Sequence, residues 1–360
     1  MDSSAQPGTE NCRCDLCGGD ASLPLPHYIT RPHRLVICQD CGLIYTNPRS
    51  NRASMEEFYA SIFQSDPGAL KGRGEDVTQS NFDKHVAQMR PFVESLLDDL
   101  GDPKGRRWLE VRCRSGTVAQ ILGEHGVEVH GVDPFAANVA FARERFGPER
   151  FQESSIYDLV GPAQGGFDAI GMLTVHVLAH SPTPSRLLKD CYDRLKVGGQ
   201  IFVVDKDVTQ PRPGSMKFAL SGNSAIAHCQ HMTLNSLREF VRKAGFEVER
   251  AEYLDRWSTL RHVIVVGRKL QVPVDTVEIK ADDPRLLHDR LVSLYRRHLV
   301  RAPVRMIQRR IGRKRIKMLQ SRARLARHRT LKWFKRRLLH EVTPKTRGSS
   351  GRPTDRTGTP

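Results

Sequence analysis

Two cysteine pairs carry the plainest chemistry in this sequence. Cys14 and Cys17 are separated by two residues, as are Cys38 and Cys41, and 20 residues lie between the pairs. A pair at this spacing can turn two thiolates onto one ion if the turn is tight. Gly18 and Gly42 follow the pairs, where such a turn needs backbone freedom. Four thiolates suit a closed, tetrahedral, structural zinc site with no open position for catalysis. Four unligated thiols are the competing reading. Cys12 is an alternative to Cys14, but Cys14 is better spaced from Cys17. Cys113, Cys191 and Cys229 are scattered and read as ordinary buried thiols. Five of the eight cysteines fall within the first 41 residues. That crowding predicts metal binding in a reducing, cytoplasmic compartment rather than a disulfide scaffold.

A second set of reactive residues stands at the ends of apolar runs. Leu109-Glu-Val-Arg-Cys-Arg-Ser-Gly116 closes one run, and His130-Gly-Val-Asp133-Pro closes the next. In a doubly wound α/β fold, ligands sit outside the carboxyl ends of the strands. An acid at the end of the second strand can accept both hydroxyls of an adenosine ribose, and Asp133 is the candidate. An exposed strand-end aspartate is the bland alternative.

These residues need an alternating scaffold, and the pattern from residue 106 supplies one. Strands are predicted at Trp108–Val111, Val127–Val132, Phe167–Leu173, Gln200–Val204, Phe246–Tyr253 and His262–Arg268. Helices are predicted at Thr117–His125, Ala136–Phe146, Ser185–Leu195 and Leu234–Ala244, each stopped by glycine. This alternation predicts a parallel, doubly wound Rossmann-like α/β sheet, closed by a helix–strand–strand unit with an antiparallel edge strand. Upstream, a helix starts at Asn51 and a longer one covers Phe82–Leu100.

The 360 residues hold 57 Lys+Arg and 40 Asp+Glu, a formal net charge of +17, with 39% hydrophobic residues. That content supports a core and excludes wholesale disorder. No apolar run is long enough to cross a membrane, and the first residues lack the pattern of a signal peptide. The charge is polarised. Residues 281–360 carry 24 Lys+Arg against 5 Asp+Glu, while residues 1–280 carry 33 against 35. The predicted order is a flexible 1–11, a zinc segment over 12–50, a helical connector over 51–100 and a catalytic-type domain over 101–270. A linker at 271–284, a basic amphipathic helical extension over 285–340 and a disordered 341–360 follow.

The residues from about 12 to 268 resemble the class I S-adenosylmethionine-dependent methyltransferases, in the subgroup with an N-terminal CxxC…CxxC zinc-binding segment. Cys38-Gln-Asp-Cys-Gly-Leu-Ile-Tyr-Thr-Asn-Pro-Arg49 is similar to the end of that segment. Glu110 to Gly116 stands where the family has its acidic-x-Gly-x-Gly-x-Gly loop. Gly131-Val-Asp133-Pro, His176-Val-Leu-Ala-His180, Leu195-Lys-Val-Gly-Gly and His228-x2-His231-Met-Thr are similar to later motifs. The resemblance implies S-adenosylmethionine at Glu110, Arg112, Arg114, Gly116 and Asp133, with Ser155, Ile156 and Thr174 lining its adenine and methyl ends. It implies methyl transfer to a small polar acceptor such as a sugar or glycan precursor. His176, His180, His228 and His231 are the general-base candidates, since imidazole titrates near neutrality. For His176 and His180 the alternative is a structural role, capping a helix or supporting a neighbouring group, and for His228 it is shaping the pocket rim.

Two departures bear on activity. Arg112 and Arg114 replace two glycines of the loop, and Ala179 stands where the family usually has Glu. An arginine there is expected to collide with the cofactor or force the loop out of its glycine conformation, although one guanidinium can pair with the methionyl carboxylate. The alternative function is therefore a catalytically inactive methyltransferase-like scaffold.

Residues 301–340 hold 16 Lys+Arg and no Asp or Glu. Val304, Ile307, Ile311, Met318, Leu325, Trp333, Phe334 and Leu338 recur on that background. Three readings stand: an amphipathic helix on an anionic membrane surface, at its inner face; phosphate contacts with RNA or DNA; or a solvated extension.

Overall fold

The structure, a computed structural model, describes residues 8–30, 32–64, 77–154, 166–173, 176–211, 227–257, 260–274 and 278–311. The chain divides into a unit Met1–Tyr295 and a unit Arg296–Pro360. The first begins with β1 (Thr9–Glu10), β2 (Ser22–Thr30), β3 (His33–Cys38), β4 (Ile44–Thr46) and β5 (Arg49–Ser50). Helices α1 (Arg52–Gln64), α2 (Gln79–Glu94) and α3 (Leu97–Leu100) follow. The helix expected over Phe82–Leu100 is thus two pieces. Pro91 lies inside α2, near the place where the helix ends.

The alternating part then runs β6 (Arg107–Val111), α4 (Thr117–Gly123), β7 (Glu128–Asp133), α5 (Ala136–Phe146), β8 (Phe151–Glu153) and β9 (Phe167–Met172). It continues with α6 (Val177–His180), α7 (Pro184–Arg194), β10 (Leu195–Pro211), β11 (Gln230–His231), α8 (Leu234–Lys243), β12 (Glu247–Trp257) and β13 (Leu260–Arg268). Helix α9 (Pro284–Ile311) follows β13 in the chain.

The main sheet has seven strands in the order β12-β13-β10-β9-β6-β7-β8. Strands β8, β7, β6, β9 and β10 are parallel to their neighbours, while β13 is antiparallel to both β10 and β12. The closing hairpin forms the predicted end of the sheet. Its antiparallel member sits one place in from the edge, and β12 takes the edge itself. Strand β8, too short to show a period in the sequence, adds the opposite edge. From β6 the chain winds outward through β7 and β8, then returns to β9 and β10 on the other side. The order reverses between β6 and β9, and doubly wound sheets bind ligands outside the carboxyl ends of the strands at such a reversal.

Successive strand residues face opposite sides, and both sides are covered. Leu109, Ile170, Val203 and Val263 join one core cluster with Leu188 and Phe240. Trp108, Val129, Phe202 and Ile264 join the other with Val118 and Leu122. Burying each such side chain contributes about 1.5–3 kcal/mol, so apolar strands of this kind are stable only when helices cover both faces. Trp108 stacks on Phe202 with ring centroids 5.2 Å apart. A methyl group on Gly171 would run into the Trp108 ring and the Glu110 carboxylate, so the neighbouring strand needs glycine there.

A smaller sheet has the order β11-β4-β3-β2. It is not a separate body. Leu16, Leu43 and Tyr45 of the cysteine segment belong to the same core cluster as Leu237 and Phe240 of α8. On its other side Leu35, Ile37 and Ile44 pack with Val208, Leu287 and Leu291. The first turns of α9 therefore lie on the cysteine sheet. Residues 312–360, with most of the basic extension, lie outside the described residues.

Candidate active site

The loop from β6 to α4 leaves the carboxyl end of β6, beside the point where the strand order reverses. Arg112 and Arg114 hold φ values of 58° and 52°, and Gly116 holds 86°. The loop thus keeps a left-handed course at all three positions. Each non-glycine residue there stores on the order of 1–3 kcal/mol, which the surroundings must offset. Several bonds do so. Arg114 N donates to Asp133 Oδ2 at 2.9 Å. Cys113 N donates to Val132 O at 3.0 Å, and Gly116 N to Cys113 O at 3.1 Å.

Asp133 ends β7 as predicted, but its carboxylate is engaged within the protein. Oδ1 also accepts from Phe135 N at 3.1 Å and from Asn138 Nδ2 at 3.0 Å. Only 1% of the residue is exposed. A carboxylate offers about four lone-pair sites, so one remains for a ribose hydroxyl. Glu110 is wholly buried and accepts from Trp108 Nε1 and Leu173 N, both at 2.9 Å. Burial pushes its carboxyl up to about 7 against those two donors. Glu110 thus ties β6 to the end of β9. Ser155, Ile156 and Thr174 lie outside the described residues.

The histidines do gather. The rings of His180 and His228 meet edge to face with centroids 4.5 Å apart, and His228 and His231 are 6.0 Å apart. His176 stacks near His262 at 6.1 Å, with its Nδ1 3.5 Å from Asp205 Oδ1. Burial holds all four predicted imidazoles below their usual range. His228 falls to about 4, with Lys206 and Arg112 adding to the effect, and His231 falls to about 3 with His228 adding. His176 and His180 are lowered by burial, then by neighbouring cations and imidazoles, Arg112 among them. The Arg112 guanidinium is 5.6 Å from the Phe135 ring centroid, and its charge reaches this cluster.

Asp205, Lys206 and His262 were not singled out in the sequence. Asp205 is buried and accepts from Lys206 N at 2.7 Å, and burial pushes its carboxyl up to about 7. It directly follows the predicted strand Gln200–Val204. The strand-end argument that found Asp133 applies equally there. His262 pairs with Lys206 across β13 and β10, a register no sequence pattern discloses.

The four predicted cysteines converge. One sulfur from each lies within 4.8 Å of the others. The Sγ atoms of Cys14 and Cys41 are 3.6 Å apart, and those of Cys17 and Cys38 are 3.4 Å apart. Gly18 N donates to Cys14 O and Gly42 N to Cys38 O, closing both turns, with φ near 80° at both glycines. Cys12 Sγ is directed at Thr46 O instead, and the cluster holds Cys14. Four clustered thiols form a donor set that suits zinc. Cys113, Cys191 and Cys229 are buried thiols, as predicted.

Residues 83–251 match a family described as a methyltransferase domain. Residues 83–251 carry a methyltransferase domain, and strands β6 to β11 with the strand-end Asp133 lie within them. Over 179 residues it is 24% identical to a ubiquinone biosynthesis O-methyltransferase of Pseudomonas aeruginosa (strain UCBPP-PA14), covering 46% of this chain and 75% of the relative. A ubiquinone biosynthesis O-methyltransferase of Xanthomonas axonopodis pv. citri is 26% identical over 147 residues, covering 40% and 59%. Among solved structures, the chain is similar to the Burkholderia thailandensis 1,6-didemethyltoxoflavin-N1-methyltransferase, crystallised with S-adenosylhomocysteine. The TM-score is 0.44 at 19% identity, over 69% of this chain and 99% of that one. An S-adenosylmethionine-dependent methyltransferase from Mesorhizobium loti gives a TM-score of 0.42 at 17% identity, over 50% and 97%.

Proposed function

We propose that the domain methylates a hydroxyl group of a small polar acceptor, such as a sugar or glycan precursor, with a histidine of the cluster taking the hydroxyl proton. The observation that carries this reading is the gathering of His176, His180 and His228 beside the β6–α4 loop. The relatives named as O-methyltransferases support a hydroxyl acceptor.

The residues fit the cofactor in backbone course, because the loop keeps its left-handed turns and Asp133 retains an acceptor site. Asp133 would take a ribose hydroxyl, and Arg112 would face the methionyl carboxylate. The cofactor supplies a methyl group on a cationic sulfur, open to attack by oxygen. An imidazole held below its usual range is neutral at pH 7, so its lone pair is free to accept a proton. At about 4, His228 is a weak base, so orientation and exclusion of water must carry most of the acceleration. The four cysteines would hold zinc as a structural ion, with no catalytic position left open.

The test is transfer of labelled methyl from S-adenosylmethionine to hydroxylated acceptors, with His176→Ala, His180→Ala and His228→Ala compared. Loss of the base should lower the rate by about 10²–10⁴ in at least one variant. Equal rates in all three remove the histidine from the reading. A second reading, a scaffold that transfers nothing, is favoured by the three protein donors already on Asp133. Absence of cofactor binding would support it.

The basic residues 301–340 support a peripheral position on an anionic membrane at the cytoplasmic face, with Trp333 and Phe334 at the interface. No helix of the described residues is long and apolar enough to cross a membrane. Binding to anionic vesicles that persists in high salt supports this. A steep loss of RNA or DNA binding with salt supports the nucleic-acid alternative.

A further inference from the structure

The short strand β11 carries His231 and starts two residues after His228, yet within its sheet its neighbour is not a strand of the main sheet but β4 of the cysteine segment. Ile44 stands opposite His231, and Tyr45 opposite Gln230. Strand β4 starts three residues after Cys41, and Cys38 N donates to Leu43 O across that turn. The geometry of the second cysteine turn therefore sets the place of β4.

Thr46 makes the hold specific. It is wholly buried. Its N–H donates to Cys229 O at 3.0 Å, and its hydroxyl donates to His228 O at 2.8 Å. The same Oγ1 lies 3.3 Å from His231 Nε2. A threonine hydroxyl has one proton, and it is spent on His228 O. Oγ1 can then only accept from His231, which places that ring's proton on Nε2. On the other side, Cys229 N donates to Ala179 O at 2.8 Å, beside His180. A further link runs from the same turn. Cys41 O accepts from Ala281 N and Asp282 N, and the Asp282 carboxylate accepts from Thr233 Oγ1 and Asn235 Nδ2 at the start of α8. Residues 227–235 are thus strung between the cysteine turn and α6.

We infer that Thr46 is a positioning residue, through which the metal-loaded cysteine segment holds His228 and His231 in the acceptor side of the site. The cofactor side, built on β6, β7 and the loop between β6 and α4, does not depend on it. This inference rests on the proposed role of the histidine cluster for its functional meaning, but its test reads order in the chain and not turnover.

The test is hydrogen–deuterium exchange on the full chain, zinc-loaded and zinc-stripped, with Thr46→Val and Thr46→Ser. Zinc content and S-adenosylhomocysteine binding are measured alongside. In Thr46→Val and in stripped protein, exchange over residues 227–233 should rise roughly tenfold or more, equivalent to about 1.4 kcal/mol of easier local opening. Residues 109–119 should keep their protection. Thr46→Val should retain its zinc, and Thr46→Ser, which keeps the hydroxyl, should restore protection over 227–233. Unchanged exchange over 227–233 in both Thr46→Val and stripped protein overturns the inference. So does a uniform loss that includes residues 109–119, which would make the segment a general stabiliser and not a local clamp.

Discussion

The main-chain N–H of Arg114 donates to Oδ2 of Asp133 across 2.9 Å, joining a residue in a glycine-like conformation to the acid at the next strand end. This bond holds Arg114 in the left-handed conformation. The contact is made by backbone, so it is indifferent to the side chain of residue 114. The strain of the left-handed course is offset by Asp133, and not by the residue type in the loop.

Asp133 should therefore matter for folding as well as for binding. Asp133→Ala leaves Arg114 N, Phe135 N and Asn138 Nδ2 without their acceptor. We expect a loss of roughly 3 kcal/mol or more in denaturant unfolding, since each unmet buried donor costs about 1–3 kcal/mol. Asp133→Asn, which keeps one oxygen, should lose clearly less. An alanine variant as stable as the wild type would show that these bonds do not hold the loop.

Glu110 gives the stability a pH dependence of known sign. Its folded value, about 7, is raised above the ordinary 4.5. Its contribution is thus full below about 4.5 and is lost as pH rises through about 7. The shift corresponds to on the order of 3 kcal/mol. Relative to the wild type, Glu110→Gln should gain stability between pH 5 and pH 8 by an amount of that order. A stability difference that stays constant with pH would show that Glu110 ionises in the folded chain as freely as in water.

The cysteine cluster predicts one zinc ion per chain that survives dialysis. Chelation should lower unfolding stability by roughly 3 kcal/mol or more, because metal binding to such a site is folding energy. Cys38→Ser should lose the ion, while Cys12→Ser, whose sulfur faces Thr46 O, should keep it. Equal zinc retention in these two variants would contradict the assignment of Cys14, Cys17, Cys38 and Cys41.

Much of this was legible in the residues. The CxxC spacing located all four clustered thiols, because two-residue spacing is a local property of one turn. Helix α5 was readable to the residue, since Gly147 marks its end. Strand β8 was not, because three residues cannot display a period. The pairing of β11 with β4 was invisible for a different reason. It joins residues about 185 apart, and no local pattern records such a register. The left-handed course of Arg112 and Arg114 was not legible, because the sequence shows the strain of arginine in a glycine position but not the Asp133 carboxylate that accepts from Arg114 N. Asp205 was within reach of the strand-end rule.

The central claim is that this loop, arginines included, still serves a cofactor site. Calorimetric titration of S-adenosylhomocysteine into the wild type and into an Arg112→Gly/Arg114→Gly variant tests it most directly. Saturable binding by the wild type, at an affinity no worse than about tenfold from the variant, is the predicted result. Binding by the glycine variant alone, with none by the wild type, would contradict the claim and leave a methyltransferase domain whose cofactor site its own arginines have closed.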